Sequence, residues 1–196
     1  MMVTLNMELF EYLDQTIENI KASNTVSTQK AMEDAIKLAV EAIEQNRIIV
    51  TAGNGGSMAD AQHMSGELVN YFTKKHEAFP VLTLGVNSSV STAWANDFEF
   101  SAQFEREFSA YLRVCGLLVV FTTSGKSENI NRLLERAKFE KIPTVAFASE
   151  QAIKNFRIEP DVVICPKASS TPRIQELHVN LMHYFCQEIE NRANRQ

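Results

Sequence analysis

The chain lacks the features that tie proteins to polyanions, membranes or oxidising compartments. Its 196 residues carry 19 Lys and Arg against 24 Asp and Glu, a net charge of −5. No basic stripe for nucleic acid follows from that balance, although small phosphates remain possible ligands. Cysteine is scarce: Cys115, Cys165 and Cys186 are odd in number, widely spaced and embedded in apolar sequence. That pattern suits buried thiols in a reducing cytoplasm better than a disulfide framework. The first residues, MMVTLNMELFEY, place Glu inside the apolar part with no basic leader, and no apolar run reaches membrane-spanning length. A cytoplasmic protein with no membrane partner is expected. Repeats, low-complexity tracts and linkers are missing too, and 45% hydrophobic residues over this length suffice for one substantial core but not two. The expectation is one domain over residues 1–196.

What is present is periodic. Leu9, Phe10, Leu13, Ile17 and Ile20 repeat at helical spacing; after a polar SNTVST break, Met32, Ala35, Ile36, Ala39, Val40 and Ile43 do the same. Five short β-branched or apolar runs follow: Arg47–Thr51, Pro80–Val86, Gly116–Thr122, Pro143–Ala148 and Asp161–Cys165. They are apolar on both faces and far enough apart for helical crossovers, as in a parallel sheet covered on both sides. A long helix from about Pro172 to Asn191 closes the chain. The predicted class is α/β: a five-stranded parallel, flavodoxin-like sheet flanked by helices and preceded by an N-terminal helical pair. Ligands of such sheets bind outside the carboxyl ends of the strands, which directs attention to the loops after the first and third runs.

The later loop is in VFTTSGKSENI, Val120 to Ile130. A nucleotide-binding loop needs G-x-x-x-x-G-K-[ST], and its first glycine is Val120 here, so that reading fails and no nucleotide cofactor is expected. What remains is a cluster of hydroxyls, Thr122, Thr123, Ser124 and Ser127, at a strand-to-helix junction whose free N–H groups favour a small anion. The earlier loop is AGNGGSMADAQHMSGEL. Gly53, Gly55 and Gly56 allow a tight turn, and Ser57 with Asp60 three residues on has the form of a capping box. A dinucleotide fingerprint would require glycine where Met58 stands. By itself the loop is equally a plain strand-to-helix turn and a ligand-facing one.

Two helices then present polar groups. His63 and Glu67, four residues apart, share a face, as a solvated ion pair or as a functional pair. In TPRIQELHVNLMHYFCQEIE, Gln175, His178 and His183 interrupt an apolar pattern, with Gln175 and His183 roughly on one stripe. An isolated histidine on such a face is more often a hydrogen-bonded core residue than a ligand. The argument for a site rests on the joint occurrence of these features.

Four segments, AGNGGSMADAQHMSGEL, Ala95–Phe98, TTSGKSEN and TPRIQELHVNLMH, occur in an order that resembles the sugar isomerase (SIS) fold and, within it, the phosphoheptose isomerases. The resemblance covers nearly the whole chain. It implies that Ser57, Thr122, Thr123, Ser124 and Ser127 hold a phosphate, and that Asn54, Gly55, Asp97 and Gln175 contact the sugar. Glu67 and His183 would be the acid/base pair moving a proton between C1 and C2 of sedoheptulose 7-phosphate through an enediol. His63, Glu67, Gln175 and His183 match residues that hold one zinc ion per subunit in some members, and their N and O donors suit that metal. The family resemblance also implies a homotetramer, with residues 1–46 supplying helices for its assembly, and a place in heptose biosynthesis for lipopolysaccharide or capsule. A non-catalytic alternative, a SIS-type protein that associates with a replication initiator or senses a sugar phosphate, stands beside it.

Three departures mark this sequence. Tyr71-Phe72 stands where the family commonly has Arg followed by Phe or Tyr, with Lys74 and Lys75 as the nearby cations. Lys126 replaces the usual asparagine of the hydroxyl loop. AFASEQAIKN lacks the usual Gly-Gly turn. Altered substrate size or specificity is the expectation.

Overall fold

The computed structural model describes residues 8–193. Two helices come first, α1 (Leu9–Ser23) and α2 (Val26–Glu44). The polar break between them supplies the start of α2: the Thr25 hydroxyl accepts the Thr28 N–H at 3.1 Å, satisfying a donor left free at a helix N-terminus. The apolar stripe of α2 is buried at Met32, Ala35, Ile36, Ala39 and Ile43. In α1 the corresponding stripe, Leu9, Phe10, Leu13, Ile17 and Ile20, is 43–70% exposed.

Five strands follow: β1 (Ile48–Ala52), β2 (Val81–Thr83), β3 (Cys115–Thr122), β4 (Thr144–Ala148) and β5 (Val162–Ile164). All pairings are parallel, in the order β2-β1-β3-β4-β5. Between them run α3 (Gly56–Val69), α4 (Ser88–Asp97), a 3-10 turn at Phe100–Ala102, α5 (Gln103–Phe108), α6 (Glu128–Phe139) and α7 (Glu150–Asn155), and α8 (Thr171–Arg192) ends the described chain. The second run is shorter than its composition suggests. Pro80 has no N–H to give a ladder, and at Gly85 the chain turns away, its N–H taken by the Glu107 carboxylate at 2.8 Å.

Strand alternation divides the core. Ile49, Leu117, Val119, Phe121, Val145 and Phe147 face α2, α3 and α8. Val50, Leu118, Val120 and Ala146 face α5 and α6. Both faces are covered, which explains why the runs are apolar throughout. Phe121 stacks on Phe147 at 4.7 Å between ring centroids, and Phe185 of α8 meets Phe147 edge-on at 5.9 Å. A hydroxyl cluster adds a polar fix beneath α3: Thr51 lies 2.8 Å from Thr83, and Ser65 of α3 lies 2.6 Å from Thr83. Thr51 also donates to the Ala61 carbonyl at 3.2 Å. Because the order reverses between β1 and β3, their carboxyl ends flank the crevice where such sheets take ligands.

Candidate active site

The turn after β1 enters α3 through Gly55, the N-cap, at φ 57°. That conformation is cheap only without a Cβ. Here the structure corrects the expected capping box. The helix begins at Gly56, Ser57 sits inside its first turn with its N–H donated to the Asn54 carbonyl at 3.0 Å, and no side chain caps the end. Gly56 is needed for a different reason. A Cβ there would stand 2.5 Å from the Gln175 amide nitrogen and 2.8 Å from its oxygen, so the amide lies directly against the turn. Ser57 is buried, while Asn54 is half-buried and Gly55 exposed.

The hydroxyl loop after β3 is shaped partly by its own side chains. The Thr122 hydroxyl accepts the Gly125 N–H at 3.2 Å and Ser124 accepts the Lys126 N–H at 3.3 Å. Ser149, the N-cap of α7, donates its hydroxyl to the Thr123 carbonyl at 2.6 Å, and Asn155 donates to the Ser124 carbonyl at 2.8 Å. The glycine-free AFASEQAIKN segment thus braces the loop through α7. Ser127 is the N-cap of α6 and makes no capping bond with its side chain, which keeps that hydroxyl free beside the positive end of a 12-residue helix.

Asn54 and Asn129 join the two loops. Each amide donates to the other's oxygen at 2.9 Å. Asn54, Gly55, Ser127 and Asn129 line a cavity of about 350 Å³ whose remaining wall includes Phe100 and Ser101. Arg132 of α6 holds that wall in place by pairing with Glu99 at 2.5 Å and Glu105 at 3.0 Å.

On the helices, His63 Nε2 lies 2.9 Å from Glu67 Oε1, and His183 Nε2 lies 3.3 Å from His63 Nε2. One donor atom from each of the three falls within 4.8 Å of the others. Lone pairs of two neutral imidazoles at 3.3 Å repel unless a proton or a cation lies between them. Donors of a tetrahedral zinc site sit about 3.3–3.4 Å apart, given bonds of ~2.0–2.1 Å. The two histidine nitrogens stand at that spacing, and Glu67 is closer, at hydrogen-bond distance from His63, so the N and O donors suit the ion once Glu67 moves outward. Gln175 lies two turns earlier on α8, against Gly56.

Other candidates fall elsewhere. His178 is fully buried between the edges of Phe121 and Phe147, and burial pushes its imidazole down to about 4, so it is a neutral core residue. Asp97 closes the exposed α4 and accepts a hydrogen bond from Asn96 at 2.8 Å. Lys126 is exposed, and the Lys74 ammonium is engaged by Asn191 at 2.6 Å rather than turned to a substrate. Asp60, three residues before His63, is buried, and burial pushes its carboxyl up to about 6 against the nearby His63. Residue-by-residue reading assigned no role to Asn129, Ser149 or Glu190, and marked Phe72 only as part of a departure from the family pattern. Asn129 had a signal in TTSGKSEN, whereas Ser149 and Glu190 act through contacts distant in sequence.

An open parallel sheet with a Gly-rich turn after β1 and a hydroxyl loop after β3 defines a SIS-type α/β protein. The model of the SIS domain matches residues 11–149, and the chain belongs to that family. Within it the chain groups with the phosphoheptose isomerases. It is 36% identical over 155 residues to the phosphoheptose isomerase of a Nitratiruptor species, covering 78% of this chain and 81% of the relative. The Clostridium acetobutylicum phosphoheptose isomerase is 33% identical over 159 residues, with 81% of each chain covered. Among solved structures, a phosphoheptose isomerase from Francisella tularensis superposes with a TM-score of 0.85 at 27% identity, over 97% of this chain and 100% of the other. That of Neisseria gonorrhoeae gives 0.84 at 26%, over 93% and 97%.

Proposed function

We propose that the protein interconverts sedoheptulose 7-phosphate and D-glycero-D-manno-heptose 7-phosphate through an enediol. The observation that carries this reading is the convergence of His63, Glu67 and His183 from α3 and α8, in a chain that groups with the phosphoheptose isomerases. Moving a carbonyl between C1 and C2 requires a base that reaches carbon and a second group that handles the oxygen proton. Glu67 takes the carbon-bound proton and returns it at the neighbouring carbon, and His183 serves the oxygens. The phosphate binds Thr122, Thr123, Ser124 and Ser127 at the α6 N-terminus together with Ser57 of α3, far from the reacting carbons, so its binding energy orients the sugar. Asn54, Gly55, Gln175 and Asp97 contact the hydroxyls. His63, Glu67, Gln175 and His183 would hold a zinc ion, which when bound polarises the carbonyl oxygen.

The same reading takes residues 1–196 as one SIS domain in a cytoplasmic homotetramer that serves heptose synthesis for lipopolysaccharide or capsule. Among the described residues no helix is long and apolar enough to cross a membrane. The exposed stripe of α1, and α4 without one buried residue, support assembly through those helices. Light scattering at micromolar concentration should give four times the chain mass.

The deciding experiment is incubation with sedoheptulose 7-phosphate in D2O, with and without chelator and added zinc, followed by NMR. The expected result is an aldose signal and deuterium at C2, both lost in Glu67→Gln. Absence of both under every metal condition overturns the reading, and the chelator arm separates the two tasks assigned to Glu67.

A further inference from the structure

α8 carries a buried carboxylate that the proposed reaction does not use. Glu190 lies two turns beyond His183, and its side chain is 1% exposed. An ion in that position is costly unless its lone pairs are filled. They are filled by the loop that follows α3. The N–H groups of Phe72, Thr73 and Lys74 donate to it at 2.8, 2.9 and 2.8 Å, the Thr73 hydroxyl donates at 2.5 Å, and His76 Nε2 stands 3.4 Å away. Three successive N–H groups form an anion nest, here occupied by a side chain of the same protein. Burial raises the Glu190 carboxyl, and the bonds from Thr73, Phe72 and Lys74 more than offset it, holding the group below the usual carboxylate range.

This clasp has a consequence at the site. Phe72, whose N–H is the first in the nest, sets its ring 5.2 Å from the His183 imidazole at 30°. His63 meets the same imidazole edge-on at 4.9 Å. His183 therefore has Phe72 and His63 as ring neighbours, and one of the two is held in place by Glu190. Thr73 and Lys74 are exposed, and water alone could satisfy their N–H groups. A nearly dry carboxylate is warranted where the position of the loop matters.

We infer that Glu190 is a positioning residue: by gripping residues 72–74 it presses the Phe72 ring on His183 and fixes the imidazole toward His63 and Glu67. The inference rests on the role given to His183 above. It also gives Phe72, in the segment that departs from the family's arginine-containing pair, a definite task.

The test uses the full chain, with Glu190→Gln, Phe72→Leu and the double variant. The His183 ring resonances are followed in histidine-labelled protein, together with amide exchange at 72–74 and the kinetics with sedoheptulose 7-phosphate. In Glu190→Gln the three amides should exchange at least about tenfold faster, and the His183 resonances should move to where Phe72→Leu places them. With loss of orientation, kcat should fall roughly tenfold while KM stays within about twofold. The double variant should be no worse than the stronger single variant. Released amides with unmoved His183 resonances, or a double-variant loss equal to the product of the single losses, overturn the inference. Should Glu190→Gln not fold, Thr73→Val removes only the hydroxyl contact and must shift the same resonances in the same direction. If wild-type protein proves inactive on this sugar, the proposed reaction fails, yet the resonance and exchange comparison still decides the positioning claim.

Discussion

α8 and α4 both carry residues that the family pattern assigns to the site, yet they are built in opposite ways. α8 buries Ile174, Leu177, His178, Met182, Phe185, Cys186 and Ile189, while α4 buries none of its ten residues. The packed helix fixes its polar groups relative to the rest of the chain: Gln175 lies against Gly56 and His183 against His63. On α4 the carboxylate of Asp97 has, among the described residues, only its neighbour Asn96 as a side-chain hydrogen-bond partner, and the half-buried Trp94 stacks on the exposed Phe98. A helix with a core-facing stripe inherits precision from the core. A helix without one must obtain it from a ligand or from another chain.

That contrast can be broken in several places. The largest effect belongs to the packed side: Glu67→Gln and His183→Ala should each lower turnover by about 10²–10⁴-fold, with a circular dichroism spectrum and melting temperature like those of wild type. Next, Phe185→Ala should cost about 3–5 kcal/mol in urea denaturation, because it removes the ring that meets Phe147 and leaves a cavity under α8. On the exposed side, Asp97→Asn should raise KM roughly tenfold, the loss of a charged hydrogen bond to the sugar, without altering the melt. An unchanged KM would remove α4 from the site.

Asp60 gives a pH-dependent test. Its carboxyl is pushed up to about 6 from 3.8, so the ionised form is penalised in the fold; the penalty is complete above about pH 6 and gone below about pH 4. Asp60→Asn should therefore stabilise at pH 7 by up to about 3 kcal/mol, a gain that shrinks as the pH falls from about 6 to about 4 and is read from melts across that range. Smallest of all, Trp94→Ala should cost about 1 kcal/mol or less of chain stability, limited to its stack on Phe98 at 4.1 Å and the Arg106 guanidinium over its ring at 5.2 Å. A loss as large as that of Phe185→Ala would show α4 to be packed in solution.

The architecture was largely legible because it is written in local periodicity. Five two-sided apolar runs became five parallel strands, and the stripe of α2 became core. The His63–Glu67 pair was legible too, since four residues is one helical turn. The approach of His183 to that pair was visible only through family resemblance, because no spacing rule joins positions 120 residues apart. Ser57 and Asp60 misled for a physical reason: a capping box assumes an extended N-cap, whereas Gly55 at positive φ starts α3 earlier. The stripe of α1 was read correctly as apolar, but periodicity does not say what covers a stripe. Glu190 had no local signal at all; a glutamate in the last two turns of a helix looks solvated until the fold lays the 72–74 loop across it.

The amide pair between Asn54 and Asn129 behaves like a base pair placed between two loops. Each side chain satisfies one donor and one acceptor of the other, so neither can flip alone without setting oxygen against oxygen and NH₂ against NH₂. The orientation in which Asn54 presents its amide is consequently dictated by Asn129, on α6. Converting either asparagine to aspartate would set carboxylate against carbonyl and spread the loops, so the distance between the turn after β1 and the loop after β3 is held by complementarity of the two amides.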